Sequence, residues 1–187
     1  MVRWEPDSAG RLEQAAWSLF DEQGYEATTV ADIAERAGLT KRTFFRHYAD
    51  KREVLFGGSP VLRDLLVAAL AGTSETLEPF DAVIEATAAA GAFFNDERRD
   101  YAAKRLRLVD AHTDLMEREL VKLAALTDDL AAVLRDRGVE EPAASLSADA
   151  GITVFKHAFG RWTAAGGDFG TLVRATADEL RAVTLRP

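Results

Sequence analysis

Residues 28–51 of the chain read TTVADIAERAGLTKRTFFRHYADK. Apolar residues recur there at helical spacing and predict two short helices, at about 30–37 and 41–48. Gly38 lies between them and favours the left-handed backbone that commonly ends a helix. Two short helices joined by so tight a turn indicate a helix-turn-helix, whose second helix usually enters the major groove of DNA.

The ends of these helices carry capping residues. Thr29 and Thr40 precede the two helices, where a hydroxyl oxygen can accept a hydrogen bond from a backbone amide. Asp50 is expected to cap a further helix at about 51–56. Because a lysine is unfavourable at the positive end of a helix dipole, we interpret Lys51 as a contact to a DNA phosphate.

The second helix has two faces. Phe44 and Tyr48 are expected to point inward against Ile33. Residues 36–52 contain six basic residues and one acidic residue, a local charge of +5 in a chain whose net charge is −8. The alternative is a solvated basic helix without a partner, but the turn, the caps and the inward pair all favour DNA binding. The outward face combines Lys41, Arg42, Phe45 and Arg46.

This pattern resembles the N-terminal signature of TetR-family transcriptional regulators. The resemblance implies an all-α protein, with an N-terminal three-helix helix-turn-helix DNA-binding domain at residues 1–56. A C-terminal helical ligand-binding and dimerisation domain follows at residues 57–187. It also implies a homodimeric repressor that binds a palindromic operator in double-stranded DNA and is released by a small-molecule effector. The matching residues are Arg11, Leu12, Ala15, Ala16, Leu19, Phe20, Gly24, Tyr25, Thr28, Thr29, Val30, Ile33, Ala34, Ala37, Gly38, Thr40, Thr43, Phe45, His47, Tyr48, Lys51 and Leu55.

The predicted DNA contacts fall into two groups. We expect Lys41, Arg42 and Phe45 to read bases, since basic side chains can meet guanine and a phenyl ring can meet a thymine methyl. Phe45 stands where the family usually has tyrosine, so a phosphate contact through a hydroxyl is absent. Tyr48 stands where the family usually has phenylalanine. Contacts to the DNA backbone are expected from Thr28, Thr29, Thr40, Thr43, His47 and Lys51. Arg46, on the outward face, is a further predicted DNA contact.

The remaining chain is predicted to be helical, without a convincing strand. Ser8 is a candidate N-cap of a first helix, and Ser147 of the penultimate one. Residues 57–60, Gly-Gly-Ser-Pro, are either a hinge or a simple loop. Residues 1–7 are expected to form a short polar arm. Further helices are predicted at 11–23, 61–70, 79–94, 97–110, 113–137, 148–165 and 169–183, with a linker at 72–78 and a loop at 139–146.

The last two predicted helices are candidates for a dimer interface. Small residues, among them Ala150, Gly151, Ala158 and Gly160, permit close helix packing. Two such helices from each of two chains can form a four-helix interface, as the resemblance also implies. A helix hairpin packed within one chain is the alternative.

The C-terminal part is also the candidate ligand site. Most apolar residues at helical spacing belong to a core, so core packing is the alternative for each of them. Their composition predicts a largely apolar effector with a few polar contacts. Basic residues at 98–107 suggest an acidic ligand, or else a solvated face. The candidate pocket residues are Phe93, Phe94, Tyr101, Leu108, His112, Met116, Phe155 and Trp162.

Other classes of protein find little support in the sequence. The chain has no cysteine, which excludes disulfides and thiolate chemistry. Asp110, His112 and Asp114 do not have metal-ligand spacing, so no metal or cofactor is expected. No catalytic motif, signal peptide or membrane span is evident, and a cytoplasmic protein is expected. The alternatives are a helical small-molecule-binding or scaffold protein that has lost DNA binding, a transcriptional activator and, last, a helical enzyme.

Overall fold

The computed structural model describes residues 8–184, and every regular element in that part is helical, which confirms the all-α prediction. Short 3-10 segments lie at Arg52–Phe56 and Ala90–Phe93. The predicted polar arm at residues 1–7 lies outside the described residues. The α-helices are α1 (Ser8–Gln23), α2 (Val30–Arg36), α3 (Lys41–His47), α4 (Ser59–Ala71), α5 (Pro79–Ala89), α6 (Asp96–Ala111), α7 (Thr113–Asp136), α8 (Ala143–Ala165) and α9 (Phe169–Thr184).

The described residues divide into two compact units, one ending at Gly58 and the other beginning at Ser59. The boundary expected from the sequence lay after Phe56. Gly57 and Gly58 form a turn, and Gly57 has ordinary helical backbone angles (φ −57°, ψ −29°).

The N-terminal unit packs α1, α2 and α3 around one apolar core. Leu12, Ile33 and Phe44, one from each helix, are fully buried, and Tyr48 is nearly so. The inward orientation predicted for Phe44 and Tyr48 is therefore confirmed. The 3-10 segment adds Val54, Leu55 and Phe56 to the buried residues.

The caps of α2 and α3 are those that the sequence predicts. The backbone amide of Asp32 donates to the Thr29 hydroxyl (3.2 Å), and the Thr29 amide donates to the Asp32 carboxylate (2.9 Å). This reciprocal pair is a capping box. The amide of Thr43 donates to the Thr40 hydroxyl (3.1 Å). Gly38, with φ +65°, takes the left-handed conformation in the turn.

Several helix starts differ from the sequence-based expectation. Ser8 was predicted as an N-cap, but α1 already includes it. The helix predicted to begin at residue 97, α6, begins at Asp96. It is capped by Asn95, whose side chain accepts a hydrogen bond from the Arg98 amide (3.1 Å). α8 begins at Ala143, so the predicted loop at 139–146 and the Ser147 cap are wrong. Glu141 accounts for this early start, because its carboxylate accepts hydrogen bonds from both the amide and the hydroxyl of Ser145.

The helix predicted at 79–94 also ends early. α5 stops at Ala89, and the chain tightens into the 3-10 segment Ala90–Phe93. Gly91 there passes so close to α9 that a Cβ atom on it would lie 3.2 Å from the backbone nitrogen of Gly170. The tighter path follows from this packing between segments distant in sequence.

The C-terminal unit has two adjoining cores. The first joins α4, α5, α7 and the start of α8, and includes Leu70, Val83 and Leu134. The second, rich in aromatic residues, joins α5, α6, the end of α8 and α9. Gly151 permits close packing of α8 on α5, because a Cβ atom there would overlap the Val83 side chain.

Segment Arg52–Ala71 has the length and hydropathy of a membrane-spanning helix, although the sequence-based expectation was that no segment does. The turn at Gly57 and Gly58 interrupts it. Part of its apolar surface is buried. Val54, Leu55 and Phe56 are buried in one unit, and Leu66 and Leu70 are buried in the other. Only 28% of this apolar window is buried within the described part of the chain.

Candidate nucleic-acid interface

The outward face of α3 is basic and carries one exposed aromatic ring. Lys41, Arg42 and Arg46 are all exposed. Phe45 is 56% exposed, whereas its neighbour Phe44 is fully buried. An exposed phenylalanine loses apolar burial unless a partner covers it. The sequence-predicted base-reading residues therefore lie together on one accessible face.

The orientation of that face is fixed from inside the domain. The Phe44 ring contacts the rings of Phe45 and Tyr48, at 5.6 Å between centroids in each case. The Tyr48 hydroxyl donates to the backbone oxygen of Ala9 on α1 (3.4 Å). Because one face of α3 is locked in the core, its other face has a defined direction.

The turn between α2 and α3 is held by a residue of α1. The guanidinium group of Arg11 donates to the backbone oxygen of Ala37, the C-cap of α2. The same group lies 3.0 Å from where a Cβ atom on Gly38 would be. Arg11 thus satisfies a carbonyl group at a helix end and restricts the turn.

The predicted threonine contacts have different surroundings. Thr28 is 1% exposed, and its hydroxyl donates to the Gly24 oxygen (2.8 Å). Thr29 and Thr40 are exposed caps at the starts of α2 and α3. The hydroxyl groups of Thr43 and Thr40 are hydrogen-bonded at 3.0 Å. Thr28 therefore supports the entry to α2 from inside, while the two caps remain at the surface.

His47 and Lys51 both contact other parts of the N-terminal unit. Nε2 of His47 is hydrogen-bonded to the Ser8 hydroxyl at 2.7 Å, which ties the end of α3 to the start of α1. Nζ of Lys51 donates to the backbone oxygen of Tyr25 (2.7 Å) and lies over the Tyr25 ring. These contacts depend on residues 39 and 26 positions away in sequence, so local patterns did not predict them.

Carboxylates balance part of the local positive charge. Arg36 donates two hydrogen bonds to Glu22 (2.7 and 2.6 Å) and lowers the pKa of that carboxyl group. The Arg52 guanidinium likewise lowers the pKa of Asp50 by hydrogen bonding. These pairs lie outside α3, so the exposed positive charge is concentrated on that helix.

The candidate ligand residues separate into two groups. Phe94, Phe155 and Trp162 lie in the second core of the C-terminal unit, with Phe93 at its edge. In the second group, His112 is the C-cap of α6, and its Nδ1 lies 2.8 Å from the backbone oxygen of Leu108. Tyr101 and Leu108 are half-buried, and Met116 is exposed.

The sequence-based set omitted two aromatic residues of this core. Phe159 and Phe169 contact Phe94, at centroid distances of 5.7 and 4.3 Å. Phe159 follows Phe155 by one helical turn, a spacing that could have indicated it. Phe169 opens α9 and is brought there only by the fold. We call Phe94, Phe155, Phe159, Trp162 and Phe169 the aromatic cluster.

A separate shallow groove of about 400 Å³ lies on the surface of the C-terminal unit. Phe80 contributes to it, and the Arg181 guanidinium lies 5.1 Å from the centre of that ring. The candidate pocket residues do not line it. Its lining residues are Phe80, Ala150, Thr153, Leu180, Arg181 and Thr184.

Comparison with known proteins identifies the N-terminal domain. Residues 13–56 match the family model described as bacterial regulatory proteins, tetR family. The HTH-type transcriptional regulator TcmR of Streptomyces glaucescens is 45% identical over 60 residues, which are 32% of this chain and 26% of TcmR. The matched part thus spans about a quarter of the length of that relative.

Similarity to solved structures extends over nearly the whole chain. The fatty acid degradation regulator FadR of Bacillus halodurans has a TM-score of 0.57 at 14% identity, covering 98% of this chain and 99% of that one. FadR of Thermus thermophilus, a transcriptional repressor solved with lauroyl-CoA, has a TM-score of 0.50 at 22% identity, covering 96% of both chains. At these identities the likeness establishes the fold.

The chain is thus an all-helical protein built on a helix-turn-helix domain. Its N-terminal domain, at residues 13–56, is that of the tetR family of bacterial regulatory proteins. The resemblance found in the sequence is confirmed. The matched relatives are named as transcriptional regulators, which agrees with the prediction that the chain is not an enzyme.

Proposed function

We propose that the protein is a cytoplasmic, homodimeric repressor that binds a palindromic operator and leaves it when a small, largely apolar effector binds. The observation that carries this proposal is the outward face of α3. There, three exposed basic side chains surround an exposed Phe45, on a helix that Phe44 fixes in the core. A solvated surface helix gains nothing from such a phenylalanine, whereas a base edge or thymine methyl covers it.

The roles of the contact residues follow from their positions. Lys41, Arg42 and Phe45 read bases in the major groove, and Arg46 meets the DNA backbone. The exposed caps of α2 and α3, Thr29 and Thr40, meet phosphates. The buried or internally bonded residues, Thr28 and Lys51, act by holding the entry to α2.

The dimer forms through α8 and α9 of each chain. Gly151 and Ala158 are buried against the chain's own core, so these small residues serve the internal packing. Leu146 on α8 and Val183 on α9 are instead 62% and 71% exposed. A second copy covers these apolar positions and gives two α3 helices that read half-sites about 34 Å apart, one turn of DNA.

The effector acts through a shift of population. It binds more tightly to the form of the dimer whose α3 helices do not match the groove spacing. To change the ratio of DNA-competent to released protein from 99:1 to 1:99, that preference must be about 5.5 kcal/mol. The lauroyl-CoA complex of the Thermus thermophilus relative supports an effector with an apolar chain.

Fluorescence anisotropy tests DNA binding directly. The full chain is titrated into labelled duplexes from the DNA flanking its gene, with a shuffled duplex as competitor, at one fixed salt concentration. We expect tight binding that the shuffled duplex does not displace. Equal, weak binding to every flanking and shuffled duplex contradicts the proposal and favours a helical binding protein without DNA function.

A pair of matched variants controls for charge. Lys41→Ala/Arg42→Ala removes one lysine and one arginine from α3. Lys104→Ala/Arg107→Ala removes the same charges from exposed positions on α6. We expect only the first variant to lose operator binding. Comparable losses in both variants would mean that net charge, and not the face of α3, determines the affinity.

A further inference from the structure

A buried hydrogen-bond donor lies within the aromatic cluster. Trp162 is fully buried, and its indole nitrogen Nε1 has no hydrogen-bond partner in the described part of the chain. The surrounding side chains are hydrocarbon rings, with Phe94, Phe159 and Phe169 at centroid distances of 5.5, 5.8 and 6.2 Å. Ring faces are weak acceptors, so an N–H group in this environment remains incompletely satisfied.

A plain apolar core has no need of such a group. Phenylalanine fills a core without a donor, whereas a buried tryptophan N–H usually finds a partner. An unsatisfied buried donor disfavours the folded state. A ligand oxygen placed at Nε1 removes that penalty, and the surrounding rings receive the apolar remainder of the ligand.

The cluster is also accessible from one side. Phe93 and Phe159 are only partly buried, so the rings extend to the protein surface. Phe93 and Phe94 lie at the end of the 3-10 segment Ala90–Phe93, where the Phe94 backbone is neither helical nor extended (φ −104°, ψ 76°). These two rings are therefore carried by the short connection between α5 and α6, outside both α-helices.

We infer that the aromatic cluster is the effector site, and that the Trp162 N–H donates to a carbonyl oxygen of an otherwise apolar effector. This inference rests on the proposed function, because it specifies the chemistry of the ligand that controls DNA binding. The rings in contact with Trp162 carry no charge, so a neutral carbonyl oxygen suits this position.

A matched pair of probes isolates the hydrogen bond. 2-Acetylnaphthalene and 2-ethylnaphthalene have similar shapes, but only the first has a carbonyl oxygen. Isothermal titration of the full chain is expected to give about three- to tenfold tighter binding of the ketone, the effect of one net hydrogen bond. Equal affinities for the two probes, or no binding of either, overturns the inference.

The N–H group is then removed without changing the ring. 3-Benzothienylalanine, incorporated only at position 162, keeps the shape of the indole ring but lacks the donor. Trp162→Phe is a second variant that needs no unnatural amino acid. We expect both proteins to lose the preference for the ketone and to keep their binding of 2-ethylnaphthalene within about threefold. Trp17→Phe removes an indole N–H from the other unit and is expected to keep the preference. A preference that survives the change at position 162 refutes the role of Trp162.

Operator binding of the same samples separates the two proposals. Wild-type protein that binds its operator but shows no ketone preference retains the proposed function and contradicts this inference. If the protein binds the ketone more tightly, and this preference depends on Trp162, but it binds no operator, only the proposed function is contradicted. Thermal unfolding of each variant verifies folding. The 3-benzothienylalanine variant, which removes only the unpartnered donor, is expected to leave Tm unchanged or higher, whereas Trp162→Phe is expected to lower Tm because it leaves a cavity in the core.

Discussion

The ammonium group of Lys51 lies 2.7 Å from the backbone oxygen of Tyr25 and 4.0 Å from the centre of the Tyr25 ring. The same oxygen accepts from the amide of Thr28 (3.3 Å). Lys51 therefore closes the segment that leads from α1 into α2. A residue expected from the sequence to meet a phosphate thus also supports the backbone from which α2 starts.

Lys51→Met is accordingly predicted to lower stability without removing a phosphate contact. Loss of a charged hydrogen bond and a cation–π contact is expected to reduce the free energy of unfolding by about 1–3 kcal/mol, measured by urea denaturation. The slope of log Kobs against log salt for DNA binding should stay the same. A slope smaller by about 0.9 in magnitude would indicate a phosphate contact instead.

Arg42→Ala is predicted to relax base preference at one operator position. If its guanidinium group is bidentate to guanine, the variant loses about 1–3 kcal/mol of discrimination at that position. Binding to a set of operators with single base changes measures this loss. Uniform weakening across the whole set would place Arg42 on the DNA backbone. Lys104→Ala, on α6, is the control and should alter no position.

Two glycines of the N-terminal unit are predicted to respond oppositely to alanine. Gly38 has φ +65°, and an added Cβ atom would lie 3.0 Å from the Arg11 guanidinium group. Gly38→Ala should therefore cost about 1–2 kcal/mol of unfolding free energy. Gly57 has helical angles and its added Cβ would have ordinary contacts, the nearest at 3.6 Å. Gly57→Ala should stabilise by about 0.4–1 kcal/mol, by restricting the unfolded chain.

Operator binding by the Gly57→Ala protein also addresses the hinge-or-loop alternative. Unchanged affinity and unchanged response to the effector mean that this turn is a simple connection. A changed effector response in a protein of normal stability would show that motion at Gly57 contributes to release from DNA.

The capping box of α2 is predicted to make stability depend on acid pH. The hydrogen bond from the Thr29 amide, followed by that involving its hydroxyl, lowers the pKa of Asp32 below 3.8 in the folded protein. The unfolded chain therefore binds a proton at this position more readily. The contribution of this capping box to stability is present above the unfolded pKa of 3.8 and is lost in the acid range below it, as the pH falls through the lowered folded pKa.

Asp32→Asn keeps an oxygen that can accept from Thr29 but cannot titrate. Urea denaturation at several pH values should show a shallower loss of stability for this variant than for the wild type over that range. Identical pH profiles would show that Asp32 does not contribute to the acid sensitivity of the domain.

Local chemistry accounts for what the sequence predicted well. Thr29, Gly38 and Thr40 are end signals whose effects extend over three or four residues, and they appear in the structure as predicted. The 3.6-residue period also identified Phe44 as a core residue. Such features depend on the chain's immediate neighbours, and the printed sequence contains them.

What the sequence did not predict depends on distant partners. The early start of α8 follows from the hydrogen bonds of the Glu141 carboxylate, and the end of α5 from the close approach of Gly91 to Gly170. The hydrogen bond from Lys51 to the Tyr25 backbone oxygen likewise forms only in the folded chain. The same holds for the position of Phe169 in the aromatic cluster. Sequence spacing alone carries no information about such pairs.

Phe44 and Phe45 are consecutive, yet one ring is sealed inside the domain and the other faces outward. The side chains that maintain the fold are therefore distinct from those proposed to select the operator. Mutations at positions 41, 42, 45 and 46 can accumulate without unfolding the domain. During evolution, a duplicated gene that encodes this domain could acquire a new target sequence through surface changes alone, with its scaffold inherited intact.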